Sequence, residues 1–162
     1  MIKITADSTC DLSQELIEKY NIGISPLHIL LNDVDYLDGV TITPTDLFQM
    51  VENENKTCFT TAVNTYEYEQ FFAKYTETHD AIIHISLGMG FSSSFQNANL
   101  AAQNFSNVFI VDSANLSTGS GLLVLEAADL ASKGVTPKDI IDRLNDMKSK
   151  VNASFVIDKM DY

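Results

Sequence analysis

Apolar and polar positions along this chain switch repeatedly between a period of two and a period near 3.6. Residues 2–6 read as a short strand, and Leu12, Leu16, Ile17 and Tyr20 then line one face of a helix beginning near Ser13. Residues 24–31 and 34–37 are extended runs flanking Asn32-Asp33, a pair suited to a two-residue hairpin turn. Thr43-Pro44-Thr45-Asp46 and Thr136-Pro137-Lys138-Asp139 both carry a capping hydroxyl, proline in the first turn and an acid two residues later. Each predicts a helix start. Tyr68, Phe71, Phe72 and Tyr75 form the apolar stripe of another helix, capped by Asn64 with Glu67.

The clearest unit follows. Residues 81–86 (Ala-Ile-Ile-His-Ile-Ser) are β-branched and apolar enough for a buried strand. Residues 87–94 are a Gly/Ser-rich turn, and Phe91, Phe95, Ala98, Ala102 and Phe105 recur at helical spacing. Residues 108–111 form the next strand, ended by Asp112-Ser113; helices follow over 117–132 and 137–150, and 153–157 read as a last strand. Strands separated by helices imply parallel β-α-β units with right-handed crossovers. In such sheets ligands sit at the carboxyl ends of strands.

Composition narrows the function classes. The 162 residues are 45% apolar and 20% charged, an ordinary globular balance for one compact unit. A net charge of −12 argues against nucleic acid and anionic membrane surfaces, both of which need a basic face. It leaves room for one small anion held by local N–H groups. No apolar run approaches the roughly 18 residues of a spanning helix, so membrane insertion is not expected. The start of the chain lacks the apolar core of a secretion signal, which makes the cytoplasm the expected compartment. Cys10 and Cys58 stand apart, so neither a disulfide nor a metal site is expected.

Candidate chemistry concentrates in the turn after residue 86. Ser92, Ser93 and Ser94 fall where a helix begins, beside free N–H groups carrying partial positive charge. They could cradle a phosphate or carboxylate; alternatively one caps the helix and the others are solvated. Gly88-x-Gly90-x-x-Ser93 also approximates a dinucleotide fingerprint, with Asp112 placed for a ribose, although serine replaces its third glycine. Asp7-Ser8-Thr9 follows the first strand, either as a cap or turn or as a pocket wall. Residues 57–65 hold four threonines, including the adjacent Thr60-Thr61, in a stretch that also suits a plain strand. His84 sits mid-strand, where a hydrogen-bonded core or pocket-wall role is expected. His28 lies in an extended run and His79 near a helix end. No catalytic histidine set, G-x-S-x-G or Walker A pattern appears.

Taken in order, several motifs resemble those of the DegV family of bacterial fatty-acid-binding proteins, over essentially the whole chain. Asp7-Ser8-Thr9-Cys10-Asp11-Leu12 resembles the family's opening D-S-T-A-D-L. Pro26-Leu27 and Tyr36-Leu37-Asp38-Gly39 match its P-L and Y-x-D segments. Thr60-Thr61 corresponds to the start of T-S-Q-P. Phe91-Ser92-Ser93-Ser94-Phe95-Gln96-Asn97-Ala98 resembles L-S-G-T-Y-Q-S-A, and Asp112-Ser113 matches a following D-S. Ala62-Val63 and Ser93 depart from the pattern, standing for Gln-Pro and for the glycine of S-G-T.

The resemblance implies an α/β fold of three layers, a mainly parallel sheet with helices on both faces, formed by residues 1–162 as the family's N-terminal domain. It implies a non-catalytic carrier in which a long-chain fatty acid is the ligand and no cofactor is used. Thr60 and Ser92 would hold the carboxylate, with Thr61 and Ser93 as neighbours. A separate fatty acid kinase subunit would phosphorylate the bound carboxylate. Asp158-Lys159-Met160-Asp161-Tyr162 resembles the family's D-T-L-E-Y, after which the family continues into a second domain supplying cationic groups. The chain is therefore expected to lack that C-terminal domain. The face so exposed would be open to a second copy of the chain, forming a homodimer. The rival reading is a nucleotide- or dinucleotide-binding enzyme built on Gly88-x-Gly90-x-x-Ser93.

Overall fold

The structure is a computed structural model describing residues 1–54, 58–154 and 156. Its main sheet has strand order β2-β1-β6-β7, from β1 (Ile2–Asp7), β2 (Gly23–Ser25), β6 (Ala81–Ser86) and β7 (Val108–Asp112), with all neighbours parallel. A smaller antiparallel sheet, β4-β3-β5, comprises β3 (His28–Leu31), β4 (Val34–Leu37) and β5 (Cys58–Thr61).

Helices cover both faces of the main sheet. On one side α1 (Gln14–Lys19), α5 (Thr118–Ser132) and α6 (Pro137–Lys148) meet Ile4, Ala6, Ile83, Ile85 and Val111. On the other, α3 (Thr65–Thr76) and α4 (Ser94–Ala102) bring Tyr68, Phe71, Phe72, Ala98 and Ala101 against Ile82 and Val108. The three-layer α/β architecture expected from the motifs is thus formed. Helix α2 (Pro44–Glu54) follows the small sheet.

Local chemistry explains most boundaries. Ser13 caps α1 by accepting the Leu16 N–H. Asn64 and Glu67 make a reciprocal capping box on α3, and Thr136 caps α6 with Pro137 in its first turn. Asn32 and Asp33 both take positive φ, 47° and 64°, as a twisted two-residue hairpin requires. One helix contact demands glycine: a Cβ at Gly121 of α5 would lie 2.5 Å from the Cys10 carbonyl oxygen, in the short 3-10 turn Ser8–Cys10.

The structure corrects three expectations. Residues 24–31 are not one strand. Pro26 has no N–H to donate, and the chain leaves β2 there to enter the other sheet at His28. Phe91 lies in the turn ahead of α4 and is exposed, because the helix begins only at Ser94. The strand expected over 153–157 is absent at Ala153, Ser154 and Val156, which are exposed coil. Val151, Asn152 and Ala153 lie beside Ala114, Asn115 and Leu116 and pair with no strand. Phe155 and residues 157–162 lie outside the described residues, as does Thr57.

Candidate functional site

Because the main strands are parallel, Asp7, Ser25, Ser86 and Asp112 all end at the same edge of the sheet. The loops leaving that edge are tied together. The Leu87 N–H donates to Asp7 Oδ2 at 2.8 Å, Gly88 N–H to the Asn115 carbonyl at 2.9 Å, and Ser113 N–H to the Ser86 carbonyl at 3.2 Å. Ser113 Oγ lies 3.0 Å from Ser120 Oγ, which joins the β7 turn to α5.

Asp7 is the polar centre of this edge. It does not cap the following turn, the commoner role for an aspartate there. It is 1% exposed and points to the α3 side, where Tyr68 Oη donates to Oδ1 at 2.6 Å and Ser86 Oγ to Oδ2 at 2.9 Å. His84 Nε2 stands 3.2 Å from Oδ1, off the line of a good hydrogen bond, so that contact is mainly one of charge and dipole. The other ring nitrogen is 3.1 Å from Thr5 Oγ1. Tyr68 and Phe72 rings enclose the imidazole edge-on, each 5.3 Å away between centroids. Burial by itself raises the Asp7 carboxyl, but His84, Tyr68 and the Leu87 N–H outweigh it and hold it below the ordinary range. Burial and then the Asp7 charge push the Tyr68 phenol upward.

The sheet register creates this cluster. Thr5 pairs with His84, so Thr5 and Asp7 of β1 share a face with His84 and Ser86 of β6. His84 therefore has the hydrogen-bonded core role expected of it. Its partners were not evident in the sequence. The available signal was a pair of polar residues at the ends of two apolar strands, at Asp7 and Ser86.

The serine cluster lies one turn further out. Ser94 opens α4 and is buried; Ser93 precedes it, exposed, and makes no side-chain cap. Half-buried Ser92 takes the capping contact instead, its Oγ accepting the Ser94 N–H at 3.1 Å and lying 2.9 Å from Ser94 Oγ. Ser93 has φ −78°, so serine fits there without the left-handed strain that would favour glycine. The first intrahelical bond is Asn97 N–H to the Ser93 carbonyl, 3.0 Å. The N–H groups of Phe95 and Gln96 thus sit in the first turn, where helical partners are lacking.

Thr60 and Thr61 end β5, both exposed, opposite Ile29 and His28 of β3. Among the described residues no direct hydrogen bond joins either threonine to Ser92. The two regions are linked indirectly: Asn97 Nδ2 donates to the Val63 carbonyl at 2.8 Å, tying the loop after Thr61 to the first turns of α4.

The dinucleotide pattern has other structural explanations. A Cβ on Gly88 would come within 2.9 Å of the Asn115 backbone nitrogen, so this glycine serves loop packing. Asp112 Oδ1 accepts the Met89 and Ala114 N–H groups at 3.0 and 2.9 Å, so this carboxylate serves to tie the two turns together. Burial pushes the Cys10 thiol up to about 11, so it is inert at neutral pH. No helix among the described residues is long and apolar enough to cross a membrane.

These features define a three-layer α/β protein with hydroxyl-rich turns gathered at the carboxyl edge of a parallel sheet. The chain belongs to the DegV family, whose model, described as an uncharacterised protein family, matches residues 1–162. A DegV domain-containing protein of Clostridium perfringens is 31% identical over 162 residues, covering 99% of this chain and 58% of that protein. One from Staphylococcus aureus is 30% identical, covering 97% of this chain and 56% of the relative. Among solved structures, a DegV family protein from Thermus thermophilus, described as fatty acid binding, matches with TM-score 0.84 and 29% identity. The match covers 91% of this chain and 53% of that one. DegV from Bacillus subtilis, described as a fatty acid binding protein, gives 0.86 and 26%, over 91% and 54% of the two chains. A stearic acid-binding protein from Eubacterium ventriosum gives 0.80 and 26%, over 90% and 52%. The chain thus spans a little over half the length of these relatives.

Proposed function

We propose that this chain forms the head-group side of a long-chain fatty acid site, with the Thr60 and Ser92 hydroxyls receiving the carboxylate and Thr61 and Ser93 flanking it. The observation that carries the reading is Ser92 at the start of α4, in a fold matched by solved relatives described as fatty acid binding. A hydroxyl beside the unpartnered N–H groups of a helix start suits an anionic head group. The Asn97–Val63 hydrogen bond supports the pairing, because it holds the chain just beyond Thr61 against the same helix.

On this reading most affinity comes from the acyl tail, at about 0.8 kcal/mol per buried CH₂ before ordering costs. The hydroxyls set orientation and select a carboxylate. The protein does no chemistry itself. It carries the acid in the cytoplasm and offers its carboxylate to a separate kinase subunit.

Organic extraction of the purified protein followed by mass spectrometry tests the reading, together with uptake of a fluorescent fatty acid. Recovered long-chain acid, and an affinity lowered on the order of tenfold in Ser92→Ala or Thr60→Ala, are expected. Failure to recover or take up any fatty acid would overturn it. Saturable NAD or ATP binding lost in Gly90→Trp would instead establish the nucleotide reading.

A further inference from the structure

His28 occupies an unusual position between two carboxylates on different elements. Its imidazole is 14% exposed. Nδ1 lies 2.8 Å from Asp35 Oδ2 and 3.0 Å from Oδ1, on β4; Nε2 lies 3.0 Å from Glu67 Oε1, on α3. A neutral imidazole carries one N–H and can satisfy one of these acceptors, whereas the imidazolium donates to both. The site therefore favours the cation. Burial alone would lower its pKa, but the Asp35 hydrogen bond and the Glu67 charge prevail and raise it above the ordinary value.

The Glu67 carboxylate is held independently of His28, and the Asp35 backbone is fixed by the hairpin. Glu67 Oε2 accepts the Asn64 N–H at 2.9 Å in the α3 capping box. Asp35 is diagonal to His28 in the hairpin, where His28 pairs with Leu37 and Leu30 with Asp35. On its other edge His28 pairs directly with Thr61, and Ile29 with Thr60. The ring therefore joins α3 to the strand whose other neighbour carries both threonines. A cavity of about 200 Å³ lies beneath it, lined also by Ser25, Pro26, Tyr66 and Lys74. Lys74 places its Nζ 5.7 Å from the Phe71 ring centroid.

We propose that protonated His28 is a positioning residue: it clasps the small sheet to α3 and so fixes where β5 presents Thr60 and Thr61. The clasp rests on the fatty-acid reading only for its effect on binding, not for its existence. The sign follows from the raised pKa. The clasp is fully formed below the ordinary histidine value of about 6.5 and is lost as pH rises through the higher folded value. One of the two contacts then has no proton to share. The threonines gain freedom relative to Ser92, while the α3 capping box and the main sheet are unaffected.

The experiment is a titration of the intact chain by NMR, following the His28 ring and the Thr60 and Thr61 amides. The expected result is a His28 midpoint above about 6.5, the same midpoint in both threonine amides, and a lower midpoint in Glu67→Gln and in Asp35→Asn. Threonine amides indifferent to the His28 midpoint, or a midpoint unmoved in both variants, would overturn the clasp. A second arm measures fatty-acid affinity between about pH 6 and pH 8.5, spanning the histidine transition. Affinity should fall about threefold to tenfold towards high pH in the native chain. It should stay flat in His28→Gln, apart from any change shared with the native chain through ionisation of the acid itself. Coupled titration without any fatty-acid binding would leave the clasp standing and remove the binding reading. Binding with uncoupled titration would do the reverse.

Discussion

The two faces of the main sheet show how differently one set of strands can be stabilised. Towards α5 and α6, Ile4, Ala6, Ile83 and Ile85 meet Leu123, Val124, Ile140 and Leu144, an apolar layer held by burial and close packing. Towards α3, the same two strands present Thr5, Asp7, His84 and Ser86, nearly all of whose polar atoms must find partners inside the protein. The first face tolerates apolar residues of suitable shape and volume. The second is specified atom by atom, and it is the face that leads outward to the turn carrying Ser92. Rigidity next to a candidate binding edge is thus supplied by hydrogen bonds, while bulk stability comes from the opposite side.

Asp7→Ala should be the most damaging way to break this contrast. It strands the Tyr68 hydroxyl, the Ser86 hydroxyl, the Leu87 N–H and the imidazole of His84 together. A loss of about 3–5 kcal/mol in unfolding free energy is expected from denaturant titration. Because its folded pKa is depressed, Asp7 stabilises the fold above the unfolded value near 3.9. That contribution disappears as pH falls through the folded value. Asp7→Asn should therefore flatten the acid limb of the stability profile relative to the native protein.

Leu123→Ala on the opposite face should cost about 2–5 kcal/mol by leaving a cavity, with the acid limb unchanged in shape. The pair of profiles, one altered in slope and one only displaced, separates the two kinds of core. Gly121→Ala sharpens the comparison at smaller scale. Its new methyl meets the Cys10 carbonyl at 2.5 Å, and the backbone there has little room to retreat, so about 1–3 kcal/mol should be lost by thermal melting.

Features with a local cause were open to reading from the chain alone. The Asn64–Glu67 capping box, the Thr136-Pro137 helix start and the Asn32-Asp33 hairpin all formed where their residues predicted. Each depends on a few neighbouring residues. The division of residues 24–31 between two sheets was harder to read. Pro26 marked a break, but nothing local said that Ile29 would pair with Thr60 rather than extend the main sheet. The strand assigned to residues 153–157 failed, where described, for a related reason: apolar content suggests a strand, but a strand needs a neighbour to bond. The serines were legible as a group at the start of α4. Their division of labour was not, since Ser92 rather than Ser93 accepts the N–H of Ser94.

By itself, then, the sequence determined the alternation of strands and helices, the helix caps and the hydroxyl-rich turn after β6, because these follow from short-range periodicity and backbone hydrogen bonding. Tertiary structure alone decided that Asp7 meets Tyr68, Ser86 and His84 across 61 to 79 positions of chain, and that His28 lies between Asp35 and Glu67. Such meetings depend on strand register and on which face of a strand a helix covers. A shift of one residue in register would turn the strand side chains among them to the opposite face.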